Sequence, residues 1–121
     1  MGEFLLDTEV ASRLMRAERR AVTNLRRSGA RSISISSVTM AELLYGGCLR
    51  EDKPSVMAAV RAFLSRIPVH PWDKEAAEAH ARIRVAAKRV GRGADVFDIM
   101  IAAHAEAVGA TLVKAMWPSR T

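Results

Sequence analysis

The stretch from residue 31 to residue 47, RSISISSVTMAELLYGG, changes its hydrophobic period part-way along. In its first half Ile33 and Ile35 alternate with serines, which predicts a β-strand over Arg31–Val38. In its second half the apolar residues return at helical spacing. We predict a helix that begins at Thr39. The residues at the spacing of a buried helix face are Met40, Leu43, Leu44 and Gly47. A strand that passes directly into a helix is the repeating unit of an α/β protein.

The same alternation extends to both ends of the chain. The run Phe4–Leu6 predicts a first strand, and the residues after it predict a helix capped by Asp7 or Thr8. We predict a short strand at Ile67–Pro71, whose two prolines favour a sheet edge, and a last strand at Ala110–Val113. The other helices are predicted from Pro54, over Asp73–Val90 and over Asp95–Val108. We therefore expect an α/β fold with a parallel sheet flanked by helices on both faces.

The composition is that of one domain without membrane spans. The chain has 121 residues, half of them apolar, and we expect a single domain over residues 1–121. Charge interrupts every apolar stretch before the ~20 residues that a spanning helix needs, so no membrane partner is expected. The single Cys48 excludes a disulfide framework and is expected to be a buried, inert thiol. With no basic leader at its start, the chain is expected in the cytoplasm.

Basic residues are concentrated in two blocks of this chain, whose formal charge is +6. Residues 13–31 hold seven arginines against one glutamate, and residues 82–92 hold five basic residues and no acid. Such blocks attract polyanions, because lysine and arginine contacts to phosphates release counterions. The alternative is that they are the solvated faces of surface helices. The candidate contacts to a nucleic acid are Arg13, Arg16, Arg19, Arg20, Lys88, Arg89 and Arg92.

Three carboxylates fall where a parallel sheet would bring them together. Asp7 ends the first strand, Glu42 lies in the first turn of the helix after the second, and Asp98 lies in the first turn of the last helix. In parallel sheets, sites form beyond the carboxyl ends of the strands. Three carboxylates that converge there repel one another unless a cation lies between them. Hard oxygen ligands suit Mg²⁺ or Mn²⁺.

Each carboxylate also has a structural alternative. Thr39 and Glu42 fit a capping box, Asp7 can cap the helix that follows it, and Asp95 with Asp98 resembles a capping pair. Asp98 differs from the others because the residues three, four and seven places after it are apolar, which predicts that it lies on a buried face. A buried carboxylate needs a cation or a dense set of hydrogen bonds.

Three blocks of the sequence resemble the signatures of PIN-domain ribonucleases, and most of all those of VapC-like toxins from type II toxin–antitoxin modules. The blocks are Leu5-Leu6-Asp7-Thr8, Ser37-Val38-Thr39-Met40-Ala41-Glu42-Leu43 and Phe97–Ala105. The resemblance implies a PIN-like fold and a Mg²⁺- or Mn²⁺-dependent endoribonuclease that hydrolyses RNA phosphodiester bonds. It implies that Asp7, Glu42 and Asp98 are metal ligands and catalytic residues, and that the basic blocks hold the RNA backbone. It also implies a homodimer and a cognate VapB-like antitoxin that blocks the acidic site.

Several positions depart from the pattern of that family. Glu9 stands where the family has Asn, and Asp95 stands one residue before a position that is often acidic. Both are candidate auxiliary site residues, together with Thr8 and Thr39. Residues 1–113 are family-like, whereas residues 114–121 form an atypical tail without the family's Thr/Ser-Asn segment or fourth acidic residue. We therefore expect a truncated or altered C-terminus, with the last strand of the fold missing and the strand at Ala110–Val113 at an exposed edge.

Two other functions are compatible with the sequence. A non-catalytic interaction module would keep the PIN-like fold and bind an antitoxin, or a second copy of itself, without cutting RNA. A receiver-like phosphoacceptor domain also clusters carboxylates around Mg²⁺, but it requires an Asp at the end of the middle strand, where this chain has His70-Pro71. The histidines lack the spacing of zinc ligands and are expected to be packing or surface residues: His70, His80 and His104.

Overall fold

Strands and helices alternate along the chain as the sequence pattern predicts, with one additional helix in the first basic block. The computed structural model describes residues 2–29, 32–91 and 95–114. The strands are β1 (Glu3–Leu6), β2 (Ser32–Ser36), β3 (Val69–His70) and β4 (Thr111–Val113). The helices are α1 (Thr8–Met15), α2 (Arg19–Arg27), α3 (Ser37–Leu49), α4 (Pro54–Leu64), α5 (Lys74–Arg89) and α6 (Val96–Val108).

The strands form one parallel sheet in the order β3-β2-β1-β4. Phe4 in β1 lies opposite Ile33 of β2 on one side and Thr111 of β4 on the other. β3 lies at an edge, as its flanking prolines predict, and β4 lies at the other edge of the described sheet. The prediction of an α/β fold with a parallel sheet is confirmed.

Helices cover both faces of the sheet. Successive side chains of β1 point to opposite sides, so each face carries apolar residues that a helix layer can bury. Leu6 belongs to a core cluster that includes Val10 of α1, Leu43 of α3 and Val60 of α4. Leu5, its neighbour, belongs to a second cluster that includes Val38, Ile101 and Ala105. Burial of these apolar side chains is the main favourable contribution to the stability of such a layered fold. The predicted arrangement of helices on both faces is confirmed.

The first basic block is divided between two helices, which its charge pattern alone does not indicate. α1 ends at Met15, and Ala17 adopts the left-handed conformation with φ 56°. This is an unfavourable conformation for a residue with a Cβ atom, and it turns the chain before α2 begins at Arg19. No residue of α2 is fully buried, although Leu25 packs against the first core cluster.

β2 passes into α3 two residues earlier than predicted, so the predicted strand over Arg31–Val38 is too long. Ser36 ends the strand and caps the helix, since its side chain accepts a hydrogen bond of 3.0 Å from the Val38 N–H. A serine satisfies one of the free amides at a helix N-terminus, which allows the helix to begin at once. Thr39 is therefore an interior residue of α3, and its predicted role as the helix cap is wrong.

α5 and α6 have the caps that their sequences predict. Asp73 accepts from the Ala76 N–H at 3.1 Å, Asp95 accepts from the Phe97 N–H at 2.7 Å, and Gly109 ends α6 with φ 73°. α5 buries Ala76 and Ala79, whereas Ala86 and Val90 are exposed. Alanine is compatible with either environment and so identifies a buried face poorly. None of the helices in the described parts of the chain is long and apolar enough to cross a membrane.

α3 and α4 approach each other closely at Gly47. A Cβ atom at this position would lie 2.9 Å from the Met57 sulfur and 2.8 Å from its terminal methyl group. Cys48, the next residue, is exposed, so the prediction of a buried thiol is wrong. It lies on the same face of α3 as the exposed Tyr45, away from the side on which Leu43 and Gly47 are buried.

Candidate active site

A cavity of about 690 Å³ opens at the carboxyl edge of the sheet. It lies where β1 and β4 end and where α1, α3 and α6 begin, which is where parallel sheets characteristically form sites. The residues that line it are Asp7, Thr8, Glu9, Ser12, Arg16, Glu42, Asp98, Ile101, Leu112 and Lys114. The three carboxylates predicted to converge, at positions 7, 42 and 98, thus share one cavity.

Asp7 follows β1 directly and caps α1. Its Oδ1 accepts a hydrogen bond of 2.8 Å from the Val10 N–H, and its own N–H donates to the Val113 carbonyl at 2.9 Å. The first bond anchors the carboxylate to α1, and the second extends the pairing of β1 with β4 by one residue. The capping function proposed for Asp7 from sequence is present, and it coexists with the position of Asp7 in the cavity.

Glu42 is held by Thr8 rather than by a capping box. The Thr8 hydroxyl donates to Glu42 Oε1 and lies 3.2 Å from the Thr39 hydroxyl oxygen. Because α3 begins at Ser37, Glu42 lies in its second turn, and the predicted location in the first turn is wrong. Thr39 is fully buried and reaches the cavity only through Thr8. The contacts join the start of α1 to α3.

Asp98 is exposed, so the prediction that it lies on a buried face is wrong. The face itself was assigned correctly, since Ile101 and Ala105 are buried against the sheet. Asp98 belongs to the first turn of α6, ahead of these buried residues, and it borders the cavity. It needs no buried partner to offset desolvation. Asp95 is the cap of α6 and does not line the cavity.

Glu9 lies at the rim of the cavity within a surface network of charges. Its Oε2 lies 2.8 Å from Arg13 Nη2, and Arg13 Nη1 lies 4.0 Å from Glu18 Oε1. These side chains are 35% to 57% exposed, so the pairs contribute little to stability. The two ion pairs direct the Arg13 guanidinium towards Glu9 and Glu18. Arg13 does not line the cavity.

Among the predicted basic contacts that the structure describes, only Arg16 lines the cavity. Its Nη1 donates to Ser12 Oγ at 2.6 Å, and its Nη2 lies 3.8 Å from Glu18 Oε2. The five other described basic contacts do not line the cavity: Arg13 is half-buried, and Arg19, Arg20, Lys88 and Arg89 are exposed. Arg92 and the tail from residue 115 onwards lie outside the described residues.

The donor set fits a hard divalent cation by its chemistry. Carboxylate oxygens from three separate elements face one cavity, and Mg²⁺ and Mn²⁺ prefer oxygen ligands of this kind. In residues 2–29, 32–91 and 95–114, no three carboxylate, histidine or cysteine side chains lie close enough to enclose one ion as they are now oriented. Asp7 and Glu42 are instead hydrogen-bonded to the backbone of α1 and to Thr8.

Sequence reasoning missed two polar residues of the cavity, Ser12 and Lys114. Ser12 lies one turn after Thr8 on α1, so the helical period could have indicated it. Lys114 directly follows β4, and its position after a parallel strand was the available signal. It was instead assigned to the atypical tail.

The histidines are packing or surface residues, as predicted, and His104 is the buried one. His104 is fully buried, and its Nδ1 lies 2.8 Å from Ser36 Oγ, while its Nε2 has no hydrogen-bond partner among the described residues. Burial, and next the neighbouring His70, lower the pKa of His104 below 6.5. His70 Nε2 lies 3.0 Å from Glu3 Oε2. None of these side chains lines the cavity.

Comparison with known proteins places this architecture in a family. The PIN-domain model matches residues 4–115. The chain is 34% identical over 113 residues to the tRNA(fMet)-specific endonuclease VapC of Shigella flexneri, which covers 93% of this chain and 86% of that protein. The DNA-bound VapBC structure from Salmonella typhimurium superposes with a TM-score of 0.84 at 29% identity, covering 96% of this chain and 88% of that one.

A second solved structure, VapBC2 from Rickettsia felis bound to a DNA fragment from its promoter, matches with a TM-score of 0.81 at 26% identity. It covers 91% of this chain and 84% of the matched chain. The α/β fold with its parallel sheet agrees with these matches. The chain belongs to the PIN-domain family, and its relatives there are VapC nucleases.

Proposed function

We propose that this protein is a Mg²⁺- or Mn²⁺-dependent endoribonuclease that acts as the toxin of a toxin–antitoxin pair. The observation that carries the proposal is the convergence of Asp7, Glu42 and Asp98, from three separate elements, on one cavity at the carboxyl edge of the sheet. Membership of the PIN-domain family supports it, because the relatives that match are named as nucleases.

Asp7, Glu42 and Asp98 would hold the divalent cation. When bound, the cation activates water and offsets negative charge at the scissile phosphate. Val10 and Thr8 position the first two carboxylates through their hydrogen bonds, so that these donors are oriented before any ligand arrives. Ile101 and Leu112 form the apolar part of the wall.

RNA is the proposed substrate. The Shigella flexneri relative is named for cleavage of tRNA(fMet), so initiator tRNA is the first substrate to test. The two solved relatives are VapBC complexes, and we propose by the same reasoning that a VapB-like antitoxin binds this chain and blocks the acidic cavity. We also propose a cytoplasmic homodimer built from one PIN-like domain per chain.

Cleavage of initiator tRNA and of an unstructured RNA in Mg²⁺ or Mn²⁺ tests the proposal. We expect the wild-type chain to cut RNA only with the metal, and Asp7→Asn and Asp98→Asn to reduce the rate about 100-fold or more. Asp52→Asn is the matched control, because Asp52 is an exposed carboxylate that pairs with Arg50 and lies outside the cavity. It should cut as the wild type does.

Absence of cutting with any divalent metal would contradict the proposal and favour the interaction module. An interaction module would bind a VapB-like antitoxin or a second copy of itself while leaving RNA intact. Binding of antitoxin by a chain that does not cut RNA would establish it.

A further inference from the structure

The cavity is lined by two positively charged side chains as well as by four carboxylates. Arg16 and Lys114 line it together with Asp7, Glu9, Glu42 and Asp98. Carboxylates can hold a metal ion, but they repel the phosphates of an RNA strand. A nuclease site therefore needs positive groups that meet the phosphates, and these two residues have the charge for it.

Lys114 is placed in the cavity by the register of the sheet. Leu6 of β1 lies opposite Val113 of β4, and the Asp7 N–H donates to the Val113 carbonyl at 2.9 Å. The next residue on β4's side is Lys114, so its backbone lies beside Asp7 at the carboxyl edge. Backbone pairing, rather than the course of a loop, determines this position.

The two positively charged side chains differ in their partners. Arg16 is bonded to Ser12 at 2.6 Å and lies 3.8 Å from Glu18, so part of its charge is already directed to the protein. Lys114 is exposed, and no ion pair joins it to any carboxylate of the described residues. An ammonium group on a flexible stem is a point charge that can adjust to a phosphate.

We propose that Lys114 binds a backbone phosphate of the RNA next to the scissile bond, so that the acidic cavity accepts a polyanion. This inference rests on the proposed nuclease function and adds a substrate-binding residue to it. At the edge beside Asp7, Lys114 supplies a positive charge that offsets the repulsion between the carboxylates and the RNA phosphates. In this arrangement the carboxylates hold the divalent cation, and Lys114 holds the RNA strand.

Salt-dependent binding of a short fluorescent RNA, followed by anisotropy in EDTA, tests the proposal without cleavage. Lys114→Gln is expected to weaken binding about 3- to 10-fold and to reduce the slope of log affinity against log salt by about 0.7. Lys114→Arg keeps the charge and should remain within about 3-fold of the wild type. Lys53→Gln is the matched control: it removes one exposed lysine outside the cavity and should bind as strongly as the wild type.

A second measurement uses the metal-loaded protein. In Mg²⁺, Lys114→Gln should raise KM by the same factor as it weakens binding, with a smaller change in kcat. Equal binding and equal salt slopes for Lys114→Gln and wild type would overturn the proposal. Tighter binding of Mn²⁺ to Lys114→Gln, with RNA affinity unchanged, would also overturn it, because Lys114 would then be only a counter-ion of the carboxylates.

The EDTA measurement separates this proposal from the proposed function. If the wild type binds RNA and Lys114→Gln does not differ from it, the role of Lys114 fails while the nuclease stands. If the wild type never cuts RNA but Lys114→Gln weakens binding as expected, the nuclease fails while the RNA contact of Lys114 stands.

Discussion

Thr8 shows how one small side chain can organise the candidate site. Its hydroxyl donates to Glu42 and lies 3.2 Å from the Thr39 oxygen, so a residue of α1 fixes a carboxylate of α3. A charge-assisted hydrogen bond of this kind is roughly twice as strong as a neutral one. Hydrogen bonds to the side chains that ligate a metal commonly influence its affinity, and Thr8 makes such a bond to Glu42.

The residue types of the site could be predicted from sequence, but their environments could not. Asp7 and Glu42 follow strands, and the topology of a parallel sheet then brings them to one edge. Asp98 was assigned to the correct helix face and the wrong environment, because periodicity does not reveal where a helix extends beyond the core. Lys114 depends on the pairing of β1 with β4, which no local pattern contains.

His104 makes the stability of the fold dependent on pH. Burial and His70 lower its pKa in the folded state, whereas in the unfolded chain it titrates near 6.5. Between the two values the unfolded state binds the proton and the folded state does not. The free energy of unfolding should therefore be insensitive to His104 above pH 7 and should decrease as the pH falls through 6.5.

Urea unfolding of wild type and His104→Gln between pH 8 and pH 5 measures this effect. The other charged groups near the ring, His70 and Asp73, are the same in both proteins. The wild type should lose stability more steeply on acidification, by at most about 1.4 kcal/mol per pH unit. Parallel curves for the two proteins would contradict the assignment, even if the variant is less stable at every pH.

At the scale of elements, hydrophobic period identified the strands and most helices, and capping chemistry decided their limits. β2 ends two residues before the predicted limit because Ser36 caps α3. The break between α1 and α2 was missed because Arg16, Ala17 and Glu18 are compatible with a helix by propensity. The positive φ of Ala17 is a tertiary result that overrides this preference.

The junction of α3 with α4 gives a prediction with an internal control. Gly46 and Gly47 are adjacent in α3, but a Cβ atom at Gly46 meets nothing within 4 Å, whereas one at Gly47 meets the Met57 side chain. Gly46→Ala should stabilise the protein by about 0.5–1 kcal/mol through helix propensity. Gly47→Ala gains the same propensity but must displace the flexible end of the Met57 side chain, so we expect it to be up to about 1 kcal/mol less stable than Gly46→Ala.

Chemical denaturation of the two variants checks this prediction. The comparison cancels the propensity gain, because both residues are interior positions of one helix. A large effect at Gly47 would show that the approach of α3 to α4 depends on the absence of a side chain there. Equal stability of the two variants would show that Met57 moves aside without cost.

At the scale of the whole molecule, an acidic cavity lies within a basic chain. The acidic cavity lies at the carboxyl edge, while the Glu3–His70 pair and His104 lie outside its lining. The chain as a whole carries a formal charge of +6. This combination favours long-range attraction of RNA together with local binding of a cation.

Thermal unfolding with increasing Mn²⁺ tests whether the carboxylates act together on one ion. An ion that binds only the folded state raises stability by about 1.4 kcal/mol for each 10-fold increase above its dissociation constant. We expect this rise for the wild type and for Asp52→Asn, and its loss for Asp98→Asn. An equal rise in all three proteins would show that the ion binds elsewhere.

The pairing of β4 with β1 has a consequence for the synthesis of the protein. All three carboxylates precede β4 in the chain, but the wall of the cavity formed by Leu112 and Lys114 arrives with β4 itself. While the ribosome is still translating α6, β1 has no neighbour on that side and the cavity is incomplete. Domains that fold during translation complete such sites only when their last segments emerge. The complete cavity is therefore expected only once β4 has paired with β1.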